Sequence, residues 1–246
     1  MSATNKESIS ANCISLGALP AAGRNPWKVV LILEELGVSY KTAESFKFDY
    51  VKDKPYIDIC PNGRVPAIET YESEKEITHE SLNERYLLNQ SLHFQMSGQG
   101  PYYGQSGWFN VLHPERLPSV IERYNGPVRR VLSVLETFLG GEKTWLVRDK
   151  CTFADLSFMP WNTRLDFVLM TKPGEDPLAP YPNVQAWHKR MVERPAWKRA
   201  MAVRDKLMND QGLMPNGMPK GINNIKEYEE YREKLAAKAQ EAKQAV

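Results

Sequence analysis

Two short segments of this chain could together hold a small peptide. Residues 60–67 read Cys-Pro-Asn-Gly-Arg-Val-Pro-Ala, and the pair Glu80-Ser81 follows the next apolar stretch. Asn62-Gly63 predicts a turn, because both residues tolerate positive φ. Val65 precedes a proline and is therefore held in an extended conformation. If the Val65–Pro66 bond is cis, the N–H and C=O of Val65 are free to pair with the backbone of a ligand.

The pair Glu80-Ser81 stands where a helix could begin. The unpaired N–H groups and the positive end of a helix N-terminus bind carboxylates. The same residues also fit a strand, a proline turn and a helix cap that hold no ligand. The pattern of these residues alone leaves both interpretations open.

The elements that would position these segments form an α/β unit. Residues 13–19, 38–48, 65–70 and 76–78 predict strands, the last two as a hairpin. A helix lies between the first two strands, and another begins after Ser81. The order strand, helix, strand, hairpin and helix is typical of a thioredoxin-like fold.

The first helix of this unit carries clear start and stop signals. Asn25 is predicted to be its N-cap, and Pro26 is preorganised for the first turn. Helix-forming residues continue to Leu36, and Gly37 is a typical helix stop.

From residue 82 onward the apolar spacing becomes helical, beginning with the row Leu88, Leu92 and Met96. Thr152 and Asp155 fit a capping box, whose loss would cost on the order of 1 kcal/mol. The other predicted features are a continuous helix over 81–97, a break at 98–101, a helix over 117–139 interrupted or kinked at 126–127, a helix over 153–170, and two shorter helices flanking 193–195.

We therefore predict an α/β thioredoxin-like domain followed by an all-α helical domain. The proposed limits are a disordered N-terminus at 1–12, the thioredoxin-like domain at 13–82, the helical domain at 83–215 and a charged tail at 216–246.

Composition limits the class of protein. The 32 Lys and Arg residues and 30 Asp and Glu residues give a formal charge of +2, which favours neither nucleic acid nor an anionic membrane as a partner. No apolar run approaches the ~20 residues of a membrane span, and no signal peptide is visible. Three widely spaced cysteines fit a reducing compartment, and four scattered histidines form no metal-binding pattern. We expect a soluble cytoplasmic protein without a metal site.

Several blocks in this order resemble glutathione transferases, most closely the fungal Ure2p-like branch and the nu-class enzymes. The blocks cover the chain from about residue 13 to 208. They lie at residues 25–29, 33–37, 60–67, 80–81, 94–105, 121–124, 151–162 and 183–187.

The resemblance implies glutathione as the bound co-substrate and Asn25 as the catalytic residue. The side-chain amide of Asn25 would donate a hydrogen bond to the glutathione thiolate, although the same side chain could simply cap its helix. The other implied glutathione-binding residues are Arg24, Lys52, Arg64, Val65, Pro66, Glu80 and Ser81. The electrophile would lie over the aromatic residues Phe94, Tyr102, Tyr103 and Trp161, although aromatic residues at helical spacing also fit a core.

The chain departs from this family pattern directly after Ser81. The family has a helix and a linker at this point, whereas residues 82–90 already match the first long helix of the second domain. We expect one continuous helix of about 25 Å at 1.5 Å per residue. Such a rod would carry the two domains apart, and a homodimer could restore their contact by domain exchange. Residues 13–82 packed on their own helical domain would overturn that exchange.

Two functions remain open at this point. The first is an enzyme that adds glutathione to an electrophilic small molecule in fungal secondary metabolism, either as a conjugating transferase or as a glutathione-dependent cis/trans isomerase. The second is a non-catalytic regulatory or binding protein with the same fold.

Overall fold

The computed structural model describes a helical assembly with one N-terminal helix packed on it. The described residues are 23–38, 40, 53–54, 56–64, 81–141, 143–214, 218–222, 226–231, 233–234 and 237. The predicted strands at 13–19, 65–70 and 76–78, and nearly all of 38–48, lie outside these residues. So do the predicted disordered N-terminus and the Val65–Pro66 bond.

The helices follow one another in a single series. They are α1 (Asn25–Leu36), α2 (Tyr56–Ile59), α3 (Leu82–Phe94), α4 (Gly100–Gly107), α5 (Pro118–Phe138), α6 (Phe153–Asn162), α7 (Leu165–Leu169), α8 (Pro182–Glu193) and α9 (Pro195–Asp210). Residues 226–231 are also helical. Among the described residues the only β pairing is an isolated bridge between Leu213 and Pro219.

The predicted continuous helix after Ser81 is confirmed, and the predicted break at 98–101 is wrong. A π-helical turn at Gln95–Gln99 joins α3 to α4, and a second one at Trp108–Leu112 ends the rod. Pro101 lacks an N–H and would clash with the carbonyl of a regular α-helical turn. The wider turn, closed by the Gly100 N–H bonding to the Gln95 carbonyl, accommodates the proline without ending the helix.

Other boundaries agree only in part. Helix α5 continues without interruption through Pro127. The predicted helix over 153–170 is divided into α6 and α7, because the chain leaves regular helix at Thr163 and Arg164 before α7 begins. Helices α8 and α9 meet at Arg194 as predicted, with Pro195 at the start of α9.

Helix α1 packs against α6 and α9 of its own chain. Trp27, Val30 and Leu31 are almost fully buried in the same core as residues of α5, α6 and α8. The carboxylate of Glu35 pairs with Arg194, and Arg199 Nε donates to Glu34 Oε2 at 2.6 Å. Helix α1 thus packs on the helical domain of its own chain, but most of residues 13–82 lie outside the described residues, and the domain exchange stays a prediction.

The predicted capping box at the start of α6 is present. The Thr152 N–H donates to Asp155 Oδ2 at 2.9 Å, and both side chains are fully buried. The other carboxylate oxygen, Oδ1, accepts the Leu146 N–H and the indole N–H of Trp187, each at 3.0 Å. Asp155 therefore connects the start of α6 to α8 and to the loop that precedes α6.

Candidate functional site

A cavity opens between the first turn of α1 and the π-helical turn of the long rod. Its volume is about 430 Å³. Helix α6 closes a further side of it. Its walls consist of Asn25, Lys28, Val29, Gln95, Met96, Gly100, Pro101 and Trp161.

Asn25 lies at the start of α1 and faces this cavity. It is the first residue of the helix, and Arg24 precedes it in the N-cap position, so the predicted capping role of Asn25 is wrong. Its Oδ1 accepts the indole N–H of Trp161 at 3.4 Å. With the oxygen held in this way, the amide N–H₂ group is the end that remains to donate to a ligand. The first N–H groups of a helix have no partner within it, so the same end of α1 favours an anion.

Lys28 projects from the next turn of α1 into the same cavity. Its Nζ donates to Gln95 Oε1 at 2.6 Å. Burial lowers the pKa of Lys28 from its ordinary value to about 8. The cavity thus combines an amide, an ammonium group and apolar walls.

A chain of buried amides fixes the position of Gln95. Its Nε2 donates to Gln99 Oε1 at 2.9 Å, and Gln99 Nε2 donates to Asn162 Oδ1 at 2.8 Å. Gln95 is 3% exposed and Gln99 is fully buried. In these three hydrogen-bonded amides each nitrogen is directed away from Lys28. The oxygen of Gln95 is therefore the atom that faces the ammonium group.

Of the four predicted aromatic pocket residues, the structure brings only Trp161 to the cavity. Tyr103 is fully buried in the core, where its hydroxyl donates to Asn162 Oδ1 at 3.4 Å and burial raises its pKa. Phe94 packs edge-on against Phe138, and Tyr102 packs at the margin of the main core. Tyr103 is therefore part of the core, and Phe94 and Tyr102 are partly buried against it.

Arg24 lines a different, smaller cavity of about 20 Å³ on the other side of α1. Burial, with the nearby guanidinium groups of Arg164 and Arg204, lowers the pKa of Arg24. The structure therefore does not bring Arg24 to the cavity that contains Asn25.

The remaining predicted glutathione-binding residues are described only in part. The turn at Asn62-Gly63 is confirmed: the Gly63 N–H donates to the Cys60 carbonyl at 2.8 Å, and Gly63 has φ of 56°. Arg64 follows this turn and is exposed. Ser81 is exposed and immediately precedes α3. Lys52, Val65, Pro66 and Glu80 lie outside the described residues.

Sequence reasoning overlooked Lys28, Gln95 and Met96 as cavity residues. Lys28 follows Asn25 by three positions, which places both on one face of a helix, and that spacing could have indicated it. No local signal distinguished Gln95, whose position depends on the π-helical turn.

Comparison with known proteins agrees with the helical architecture. Residues 101–195 match the glutathione S-transferase C-terminal domain. The chain is 36% identical to the glutathione S-transferase-like protein gedE of Aspergillus terreus, over 73% of this chain and 91% of that protein. The chain belongs to the glutathione transferase family. It is also 38% identical to glutathione S-transferase 2 of Schizosaccharomyces pombe, over 72% of this chain and 90% of that protein.

Solved structures place it among the Ure2p-like glutathione transferases. The glutathione transferase URE2P6 from Phanerochaete chrysosporium, solved with oxidized glutathione, is 36% identical with a TM-score of 0.66 and covers 76% of this chain and 94% of its own. Ure2p in complex with glutathione is 30% identical with a TM-score of 0.64, over 73% of this chain and 94% of its own.

The match to gedE also indicates that this chain lacks a segment of its relative. The match extends over 208 positions, whereas 73% of the 246 residues of this chain is roughly 180. About 28 aligned positions of gedE therefore have no counterpart in this chain.

The described part of the chain contains neither a metal-binding cluster nor a membrane-spanning helix. No three His, Cys, Asp or Glu side chains within it come together as a metal site. No helix within it is long and apolar enough to cross a membrane.

Proposed function

We propose that this transferase binds glutathione and adds its thiolate to an electrophilic small molecule. The observation that carries the proposal is the position of Asn25 at the open end of α1, facing a cavity with its carbonyl oxygen held by Trp161. Relatives of the same family solved with glutathione and oxidized glutathione support the choice of thiol.

The chemistry follows from the need for a thiolate. A free thiol has a pKa near ~8.5, so a site that acts at neutral pH must favour the anion. The positive end of α1 and the amide N–H₂ of Asn25 would both do so. The sulfur would then form a bond to the electrophilic carbon. If a leaving group departs, the product is a conjugate. If the sulfur adds to a conjugated double bond and is later eliminated, the double bond can rotate and the product is a cis/trans isomer.

The remaining glutathione contacts are part of this proposal. Val65 would pair with the cysteinyl backbone, and Glu80 and Ser81 would bind the γ-glutamyl group. Arg64 and Lys52 would meet the glycyl carboxylate. The resemblance also assigns Arg24 to glutathione; Arg24 lines a separate small cavity beside Arg164 and Arg204, and this assignment stays a prediction.

The domain limits and the pathway are proposed with it. We assign glutathione binding to a thioredoxin-like domain at 13–82 and the electrophile to the helical domain at 83–215. The relatives of this chain include the fungal glutathione S-transferase-like proteins gedE and tpcF, which supports a role in modifying secondary metabolites.

We also propose a homodimer, with or without domain exchange. Leu82 and Tyr86, one turn apart on α3, are each 62% exposed, and Leu87 beside them is 42% exposed. Such an apolar strip suits a contact between two copies. Light scattering during gel filtration should give twice the monomer mass, and Tyr86→Glu should give a monomer. A wild-type monomer would contradict the proposal.

The test of the activity uses Asn25→Ala beside Asn89→Ala, an exposed asparagine on α3. A hydrogen bond to a charged group contributes about 1.5–3 kcal/mol, so kcat/KM for 1-chloro-2,4-dinitrobenzene should fall about 10- to 100-fold in Asn25→Ala only. In Asn25→Ala, the ultraviolet absorbance of the bound glutathione thiolate should also appear at a higher pH than in the wild type. Equal activity of the two variants would refute the assigned role of Asn25.

The second candidate is a non-catalytic binding protein. It is favoured by the 30% identity to the nitrogen regulation fragment of the yeast prion protein Ure2p. Turnover separates the two functions, because Ure2p has itself been solved with glutathione and retention on immobilised glutathione is expected of both. A chain that is retained but turns over no electrophile, with Asn25 or with Asn25→Ala, supports the binding protein.

A further inference from the structure

The proposed reaction does not explain the role of Lys28, which lines the cavity beside Asn25. Among the described residues that line the cavity, Lys28 is the only one with a charged side chain. Its bond to Gln95 Oε1 uses one of the three N–H donors of an ammonium group. The other two donors can bind a ligand.

The ammonium group is held in position from the core. Gln95 is fixed by Gln99, and Gln99 donates both to Asn162 and to the Phe158 carbonyl at 3.2 Å. These amides are buried, so Gln95 cannot turn its oxygen away from Lys28 without leaving other polar groups unpaired. A surface lysine has no such support, and its head would simply extend into water.

Holding a lysine here has a cost that a ligand could offset. An ammonium group taken from water loses hydration, and a neutral amide oxygen replaces only part of it. The lowered pKa of Lys28 reflects that loss. Neither α1, the π-helical turn, α4 nor α6 contributes a carboxylate to the described cavity walls. An anion supplied by a ligand would complete the arrangement.

The position of Lys28 relative to Asn25 indicates which part of a ligand it would meet. Side chains three residues apart on a helix lie about 5–6 Å from one another at Cβ. Asn25 and Lys28 both line the cavity, so one electrophile can meet the thiolate at Asn25 and the ammonium group of Lys28 together. Val29, Met96, Pro101 and Trp161 provide apolar walls for an aromatic or conjugated carbon skeleton.

We propose that Lys28, oriented by Gln95, binds an anionic oxygen of the electrophile, so that the preferred substrates are aromatic or conjugated electrophiles that carry a carboxylate. This inference rests on the proposed function, because it assigns the substrate class of the same cavity.

Binding can be measured without any reaction. Calorimetric titration of the glutathione-free full chain would compare 3,5-dinitrobenzoate with its methyl ester, in wild type, Lys28→Met, Lys28→Arg and Lys206→Met, the last an exposed lysine on α9. We expect Lys28→Met to raise the Kd of the benzoate at least 10-fold and that of the ester less than 2-fold. Lys28→Arg should retain most of the preference, and Lys206→Met all of it. Equal loss for both ligands, or a wild type without preference for the benzoate, would overturn the proposal.

Kinetics with 4-chloro-3,5-dinitrobenzoate and its methyl ester provide the second arm. The thiol proton goes to solvent, the thiolate sulfur bonds to the carbon that carries chlorine, and chloride leaves with the electron pair of the C–Cl bond. Lys28→Met should raise KM for the benzoate about 10-fold and KM for the ester less than 2-fold, whereas Lys206→Met should change neither. A fall in kcat for both, or a rise in KM for glutathione instead, would assign Lys28 to the thiol and contradict the proposal. If even the wild type turns over neither compound, the transferase function fails, and the calorimetric preference alone decides the role of Lys28.

Discussion

Replacement of Asp155 by alanine should destabilise this protein far more than the loss of an ordinary helix cap. The carboxylate accepts four hydrogen bonds, from the Thr152 N–H and hydroxyl, the Leu146 N–H and the Trp187 indole. The hydroxyl can rotate toward another acceptor, whereas the three N–H donors cannot. Each buried donor left unpaired costs about 1–3 kcal/mol.

These values predict that Asp155→Ala lowers the free energy of unfolding by about 3–5 kcal/mol. The total is smaller than the sum of the unpaired donors because removing a buried charge offsets part of the cost. Burial raises the pKa of Asp155 even though all four hydrogen bonds favour its ionised form, which agrees with a desolvation cost that offsets part of those bonds. Asp155→Asn retains one acceptor oxygen but turns an N–H₂ group toward two of the donors, so its loss should be intermediate. Thr152→Ala should cost about 1 kcal/mol, as for an isolated cap.

The assay is equilibrium unfolding of the full chain in urea, followed by circular dichroism. A double-mutant cycle with Trp187→Phe isolates the most distant bond. Trp187→Phe should destabilise the wild type by about 1–3 kcal/mol and should have a smaller effect, or none, in Asp155→Ala. The reasoning is refuted if Asp155→Ala costs no more than Thr152→Ala, or if Trp187→Phe has the same effect in both backgrounds.

Three other predictions follow from buried charges. Burial depresses the pKa of Lys28 to about 8, so its charge opposes folding at neutral pH, and Lys28→Met should raise the melting temperature at pH 7 but not above pH 10.5. Burial lowers the pKa of His188, so the free energy of unfolding should be highest above about pH 6.5 and should decrease on acidification. In urea titrations at several pH values, His188→Leu should reduce this decrease, whereas His93→Leu, at an exposed position, should not. Arg194→Met should lower the free energy of unfolding by about 1–3 kcal/mol, because it leaves the largely buried Glu35 unpaired. If Arg194→Lys lowers it by as much as Arg194→Met does, the prediction that both guanidinium bonds are needed is contradicted.

Much of the helical half could be predicted because its signals are local. Proline at the first turn of a helix and glycine after its end depend only on the backbone of a few residues; they located α1, and Pro195 marked the boundary between α8 and α9. The capping box at Thr152 was recognisable for the same reason. The break expected at residues 98–101 was wrong because glycine and proline normally end a regular helix, whereas the chain here widens into a π-helical turn.

The candidate site was predictable only in part. Family resemblance identified Asn25, and the structure places it in a cavity with Trp161. The same resemblance grouped Phe94, Tyr102 and Tyr103 as a pocket, but aromatic residues on a helix face the core or a ligand according to what packs against them. That choice requires the positions of α5 and α6.

The sequence by itself determined the family, the order of the helices and the asparagine at the start of α1, because each is encoded by a short run of residues. Only the tertiary structure decided what long-range packing controls. It joined Asp155 to Trp187, which turned a local cap into a connection between helices, and it placed Gln95 against Lys28 across 67 positions of sequence. Contacts between residues so far apart in the chain depend on how the helices pack, and no local pattern records that packing.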